Sequence, residues 1–162
     1  MIATHTKKWI EKNFSNIHYD EIEGIKYPKK ETIINLHDFL VEVFEKDNDS
    51  ILTKEIMSDA ILSFTGIKYY TPNKKNKKET VIFKGALIFN CFLELNHPFF
   101  DGNKRTGFVT LWLFLALNNI NLTLPLSQYE KHITLFKKWA DIGNKNNTKE
   151  IKIWLEKILI NV

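Results

Sequence analysis

The chain has 162 residues, of which 44% are hydrophobic and 13% aromatic. That is enough for one folded domain with its own core and too apolar for a disordered chain. A single cysteine excludes an internal disulfide framework and a cysteine-built zinc site, and a net charge of +4 from 23 basic and 19 acidic residues is too mild to demand a nucleic-acid partner.

Residues 1–13 are polar and charged, with no apolar segment of signal-peptide length. The longest apolar run, 107–117, is well short of the ~20 residues that cross a bilayer. The expectation is a cytoplasmic protein with no membrane contact. It forms a single domain over 1–162, with a core at about 31–140 and helices flanking it at both ends.

From Glu31 to Lys46, Ile33, Ile34, Leu36, Leu40, Val41, Val43 and Phe44 recur at mostly helical spacing. Lys54 to Thr65 gives a second helix with Ile56, Ala60, Ile61 and Phe64 on one face, and Gly66 can end it. In Ile67 to Phe83, Tyr69, Tyr70 and Thr71, then Thr80, Val81, Ile82 and Phe83, are strand formers around a polar tip. A short β-hairpin is expected there. Its tip holds Lys74, Lys75, Lys77 and Lys78, which read as a solvated loop or as a dock for an acidic partner.

Lys84 to Asn96 is apolar nearly all round and includes Cys91, read as a small buried hydrophobe. His97-Pro98 interrupts it, since a helix rarely continues through the residue before proline. Lys104 to Asn118 is a second almost wholly apolar helix, closed by the turn signals Asn118, Asn119 and Pro125. Ser127 with Glu130 offers a capping box before a helix ending near Ala140, and Asn147 with Glu150 a similar start for the last helix. The four tryptophans, Trp9, Trp112, Trp139 and Trp154, fall in helical stretches and read as core or rim. The sum is an all-α class: a helical bundle with one small β-hairpin.

Between the two apolar helices, residues 97–105 read His-Pro-Phe-Phe-Asp-Gly-Asn-Lys-Arg. The second helix begins near Asn103, and its unpaired N–H groups and positive dipole end favour an anion. Gly102 lets a phosphate approach the backbone, and Asn103 can hydrogen-bond a phosphate oxygen. Lys104 brings a point charge and Arg105 a planar fork. Asp101 can ligate Mg²⁺, which takes one or two carboxylates and then phosphate oxygens. His97, largely neutral at pH 7, can take a hydroxyl proton. Phe99 reads as the apolar anchor of the bend. A Lys-Arg pair between two apolar helices is costly unless it faces a cleft or an anion, and a triphosphate supplies that anion.

His97, Pro98, Phe99, Asp101, Gly102, Asn103 and Arg105 resemble the core motif of the Fic family, His-Pro-Phe-x-(Asp/Glu)-Gly-Asn-Gly-Arg. Lys104 stands where most Fic proteins have glycine, and Lys104-Arg105-Thr106 resembles the Doc (death on curing) toxin branch. The likeness extends over the flanking helices, about Leu36 to Asn121, and His37 in Leu36-His37-Asp38 looks like a Doc feature. Read from the residues alone, His37 is a hydrogen-bonded helix histidine. The resemblance implies a Fic-like bundle whose hairpin, or flap, docks an extended segment of the target protein by strand addition. Ile67, Tyr69, Tyr70, Val81 and Ile82 are the candidates for that flap, with an ordinary surface hairpin as the other reading.

It further implies ATP as substrate with Mg²⁺, and transfer to a protein hydroxyl. Adenylylating Fic proteins have glycine at the position of Lys104 and usually a second arginine three residues after the first, where this chain has Phe108. Doc-like toxins share both departures and are similar to kinases. The reading is therefore γ-phosphoryl transfer, with adenylyl transfer as the alternative and an inactive Fic-fold binding module as a third. Gly102 matches the Fic motif, whereas Doc proteins can have alanine there. The inhibitory segment (Ser/Thr)-x-x-x-Glu-(Gly/Asn) of many Fic proteins is missing, since Glu23-Gly24 is preceded by Tyr19 at the Ser/Thr position. A separate antitoxin chain is the expected inhibitor, and a translation elongation factor the family-level guess for the target. Nucleic acid is not expected as a partner, because no base-reading motif or basic helix stripe occurs.

Overall fold

The computed structural model of the protein describes residues 8, 11–13, 16–44, 64–70, 76–93, 99, 103–120, 129–141 and 147–159. Within them two strands, β1 (Tyr19–Ile22) and β2 (Ile25–Pro28), are followed by six helices. These are α1 (Lys30–Phe44), α2 (Thr65–Tyr69), α3 (Lys77–Leu93), α4 (Asn103–Leu117), α5 (Tyr129–Ala140) and α6 (Asn147–Leu159). The expected class stands: a bundle of α-helices with one small antiparallel hairpin. Residues 54–63 of the second expected helix, and the Ser127 cap, lie outside the described residues, while Thr65 opens α2.

The hairpin is not where the strand formers suggested. It is made by Tyr19 to Pro28, in register Ile22↔Ile25 across a two-residue turn. Glu23 and Gly24 both take positive φ, 53° and 79°. A two-residue turn of that hand matches the twist of its strands. Ile25 and Tyr27 point into the core while Lys26 faces outward, the period-2 pattern of a half-buried strand.

The residues expected to form the hairpin are helical. Ile67 and Tyr69 belong to α2, with Tyr70 as its C-cap, and Val81 and Ile82 lie in α3. Asn76 decides the matter for α3: its Oδ1 accepts the Glu79 backbone N–H at 2.9 Å, and Glu79 is the acid in the first turn. That is an N-cap, and it overrides the β-propensity of Thr80-Val81-Ile82. Val81 and Ile82 are then buried as part of a helix face. Lys77 and Lys78 open this helix rather than tipping a loop. Phe64, the N-cap of α2, is buried with φ 53°, and Gly66, expected to end a helix, lies inside α2.

α3 and α4 form the centre of the bundle. Their closeness comes from two glycines. A Cβ on Gly85 would meet Leu111 at 3.0 Å, and one on Gly107 would meet Phe92 Cβ at 2.6 Å. These pairs, 85 with 111 and 107 with 92, run in opposite directions along the chain. The helices are therefore antiparallel, and the end of α3 lies beside the start of α4.

Around them pack α1 through Ile33, Leu36 and Leu40, and an aromatic cluster of Phe89, Phe108, Phe136, Trp139 and Trp154. Trp112 and Cys91 are half-buried at its edge, so Cys91 is less enclosed than expected. α6 starts at Asn147 as expected, but Asn147 and Glu150 reach across to α5. Asn147 Nδ2 donates to Trp139 O, and Trp139 Nε1 donates to Glu150 Oε2 at 2.8 Å.

The hairpin is pinned to the bundle by polar contacts. Asn118, at the end of α4, exchanges hydrogen bonds with the backbone of Lys26 at 2.9 and 3.0 Å. Lys84 is 4% exposed, and its Nζ donates to Tyr27 Oη at 2.7 Å and to Lys68 O at 3.1 Å. Lys68 Nζ reaches Asp20 at 2.8 Å. Hydrogen bonding to Lys68 holds the Asp20 carboxyl below its usual range.

Candidate nucleotide-transfer site

The expected site is the segment between α3 and α4. His97, Asp101 and Gly102, the expected base, metal ligand and phosphate approach, lie outside the described residues. Phe99 and the first turn of α4, with Asn103, Lys104 and Arg105, are described. Among the described residues no group of three His, Cys, Asp or Glu side chains stands ready to hold a metal.

α4 is nearly all apolar after its first turn, and ten of its residues are buried. Its cations both stand in the first turn. Lys104 and Arg105 are both half-buried, and no acidic residue occurs in this turn. Cations at the positive end of a helix dipole are unfavourable, by about 0.3–1 kcal/mol each at exposed sites. α3 also begins with two lysines, but there Asn76 caps and Glu79 supplies an acid. The first turn of α4 has no acidic residue of its own, and a phosphate there would meet two cations. The residues present thus fit a phosphate group.

Asn103 does something the sequence reading did not anticipate. Its Oδ1 accepts the Phe99 N–H at 3.1 Å, and its Nδ2 donates to the Phe99 C=O at 2.7 Å. Both ends of the amide serve the bend, where a hydrogen bond to phosphate was expected. The pairing ties the two ends of segment 99–103 together. Phe99 is buried, as expected of an anchor, and its ring stacks on His37 of α1 with centroids 3.6 Å apart. His37 itself is fully buried and lies 3.3 Å from Asp38 Oδ1 through Nδ1. The sequence marked His37, but its pairing with Phe99 spans 62 positions and no local pattern reveals it.

Phe108 is buried in the aromatic cluster, with its ring 5.5 Å from Phe136 and 6.4 Å from Phe89. The position three residues after Arg105 is thus part of the core. Tyr69 and Tyr70 of the expected flap are exposed at the surface, whereas Val81 and Ile82 face the core. Glu23-Gly24 forms the turn of the hairpin, which excludes an inhibitory helix at that place.

An open cavity of about 460 Å³, lined in part by Lys77, Lys78, Asn119 and Leu159, lies at the other end of α3 and α4. It includes no residue of the 97–105 bend and takes no part in the site.

Two buried antiparallel helices, with Lys104 and Arg105 half-buried where the second begins, frame the expected site within an α-helical domain. The model of the Fic/DOC family matches residues 27–115, and the chain belongs to that family. Members of the family modify proteins by nucleotide-dependent transfer and use ATP as substrate. Searches of curated proteins and of solved structures returned no match. Among the described residues, no helix is long and apolar enough to cross a membrane.

Proposed function

We propose that this chain transfers the γ-phosphoryl group of ATP to a hydroxyl of a target protein. The observation that carries the choice of group is the burial of Phe108, 3% exposed, at the position where adenylylating relatives carry a second arginine. No cation can reach a phosphate from there. Lys104 and Arg105 hold the charge instead, and Lys104 occupies the place of the glycine found in adenylylating members. This distribution, one bulky cation gained and one arginine lost, supports the Doc-like reading.

In this account His97 takes the proton of the acceptor hydroxyl. The freed oxygen attacks the γ-phosphorus, the bond from that phosphorus to the bridging oxygen breaks, and ADP leaves. Lys104, Arg105 and the first N–H groups of α4 stabilise charge on the phosphate oxygens. Gly102 allows the backbone to come close. Asp101 would hold Mg²⁺, which when bound neutralises phosphate charge. Asn103 and Phe99 keep the bend in shape.

Adenylyl transfer is the second reading, and Gly102 favours it, since Doc proteins can have alanine there. ATP labelled at the α or the γ position, incubated with the protein and a target lysate, separates the two. Label from the γ position alone supports the kinase; α label on protein overturns it. For the remaining partners we propose a separate inhibitory chain, because Glu23-Gly24 forms a turn and no other segment matches the inhibitory pattern. A translation elongation factor is the target to test first. Fully active protein produced alone without toxicity would contradict the need for an inhibitor.

A further inference from the structure

His37 lies on the core-facing stripe of α1, in step with Ile33 and Leu40, and none of its surface is exposed. An aliphatic side chain would fill that place without the cost of burying ring nitrogens. What an aliphatic residue could not do is lie flat on another ring. The imidazole and the Phe99 ring are 3.6 Å apart and 4° from parallel. Nδ1 faces Asp38 Oδ1 at 3.3 Å. A carboxylate can only accept, so Nδ1 carries the proton and the plane of the ring is held from its own helix. On the far side, the Phe99 backbone is clamped by Asn103 at the start of α4. Phe99 is thus held by its ring from α1 and by its main chain from α4.

We infer that His37 is a positioning residue: by stacking on Phe99 it sets where the 97–105 bend stands relative to the first turn of α4. The inference rests on reading that bend as the transfer site. His37 touches neither nucleotide nor acceptor; it acts through Phe99. His97 precedes Phe99 by two residues and Asp101 follows it by two, so a shift of Phe99 is passed to both. A misplacement of about 1 Å can cost on the order of 10²-fold in rate. A histidine that merely filled the core would lower stability when replaced and leave the turnover of the folded enzyme unchanged.

The test compares His37→Phe, which keeps the stack, with His37→Leu, which removes it; His37→Met replaces the leucine variant if that one does not fold. Two quantities are read: kcat and KM for Mg-ATP in the label-transfer assay, and hydrogen exchange at the Phe99 amide against that of Leu111 in the core. The leucine variant should lose about tenfold or more in kcat with KM changed less than about twofold, and should exchange Phe99 faster while Leu111 is unchanged. The phenylalanine variant should recover kcat to within about threefold and restore the protection. Equal losses in both variants, or a leucine variant with unaltered kcat and exchange, overturn the inference. If the unsubstituted protein transfers no label from any nucleotide, the reading of the site fails separately. The Phe99 amide still decides then, because protection unaltered in the leucine variant refutes a holding role for His37.

Discussion

Asn103 and Phe99 are joined by two hydrogen bonds that use the whole side-chain amide of the one and the main chain of the other, at 3.1 and 2.7 Å. Both partners are buried, so the pair closes the bend without help from solvent. This places Asn103 in the architecture of the site, upstream of any contact with phosphate.

Replacing Asn103 by Ala leaves the Phe99 N–H and C=O buried without their partners, which costs about 1–3 kcal/mol for an unsatisfied group. Asn103→Asp keeps the acceptor, loses the donor and sets a carboxylate against the Phe99 carbonyl and the expected phosphate. Both variants should melt lower in a thermal scan and transfer less label, with Asp the worse in transfer. Wild-type transfer by Asn103→Ala would show that the bend holds its shape without the amide.

Gly107 is a packing requirement, since a Cβ there would stand 2.6 Å from Phe92 Cβ, an atom fixed close to the α3 backbone. Gly107→Ala should force α3 and α4 apart and destabilise by about 1–3 kcal/mol. Gly66 meets nothing within 4 Å and has no positive φ, so Gly66→Ala should stabilise by about 0.4–1 kcal/mol through the unfolded chain. Urea unfolding of the two variants checks the opposite signs. Equal effects would refute the packing argument.

The Lys84–Tyr27 contact makes stability depend on alkaline pH. Burial lowers the Lys84 pKa and raises that of Tyr27. For Lys84, the unfolded chain keeps its proton to higher pH than the folded one, so stability rises with pH between the lowered value and the ordinary value near 10.5. For Tyr27 the folded state holds the proton longer, so stability falls as pH rises past the ordinary value of 10.0. Denaturant midpoints of wild type and Lys84→Met, followed from neutral pH toward 10, should diverge in favour of wild type as pH rises. A difference that stays flat over that range contradicts a strained ammonium. Tyr27→Phe should lose the fall above 10.

Much of the fold was legible because it rests on local signals. The stripe of Ile33, Leu36 and Leu40 gave α1, and the apolar runs on either side of His97-Pro98 gave the central pair. The hairpin was misplaced because two signals competed. Thr80-Val81-Ile82-Phe83 looked like a strand, while Asn76 and Glu79 just before it spelled a helix start. Glu23-Gly24 between Tyr-Asp-Glu-Ile and Ile-Lys-Tyr-Pro is a two-residue hairpin signal, and it competes with the partial match to an inhibitory segment that the same two residues offer. In the site, the order of charges at 103–105 could be read directly. The Asn103–Phe99 clamp and the His37–Phe99 stack could not, because both are tertiary pairings with no periodicity. The burial of Phe108 followed from its place on an all-apolar helix, though not which rings enclose it.

The central claim is that the start of α4 holds a nucleotide beside the imidazole of His97 for transfer. The measurement that bears on it most directly is the rate of γ-label transfer by His97→Ala at saturating Mg-ATP, with binding followed in parallel by calorimetry. The account predicts a fall on the order of 10²–10⁴-fold, the usual worth of a general base, with the heat of nucleotide binding retained. A variant that transfers label at the wild-type rate would contradict it.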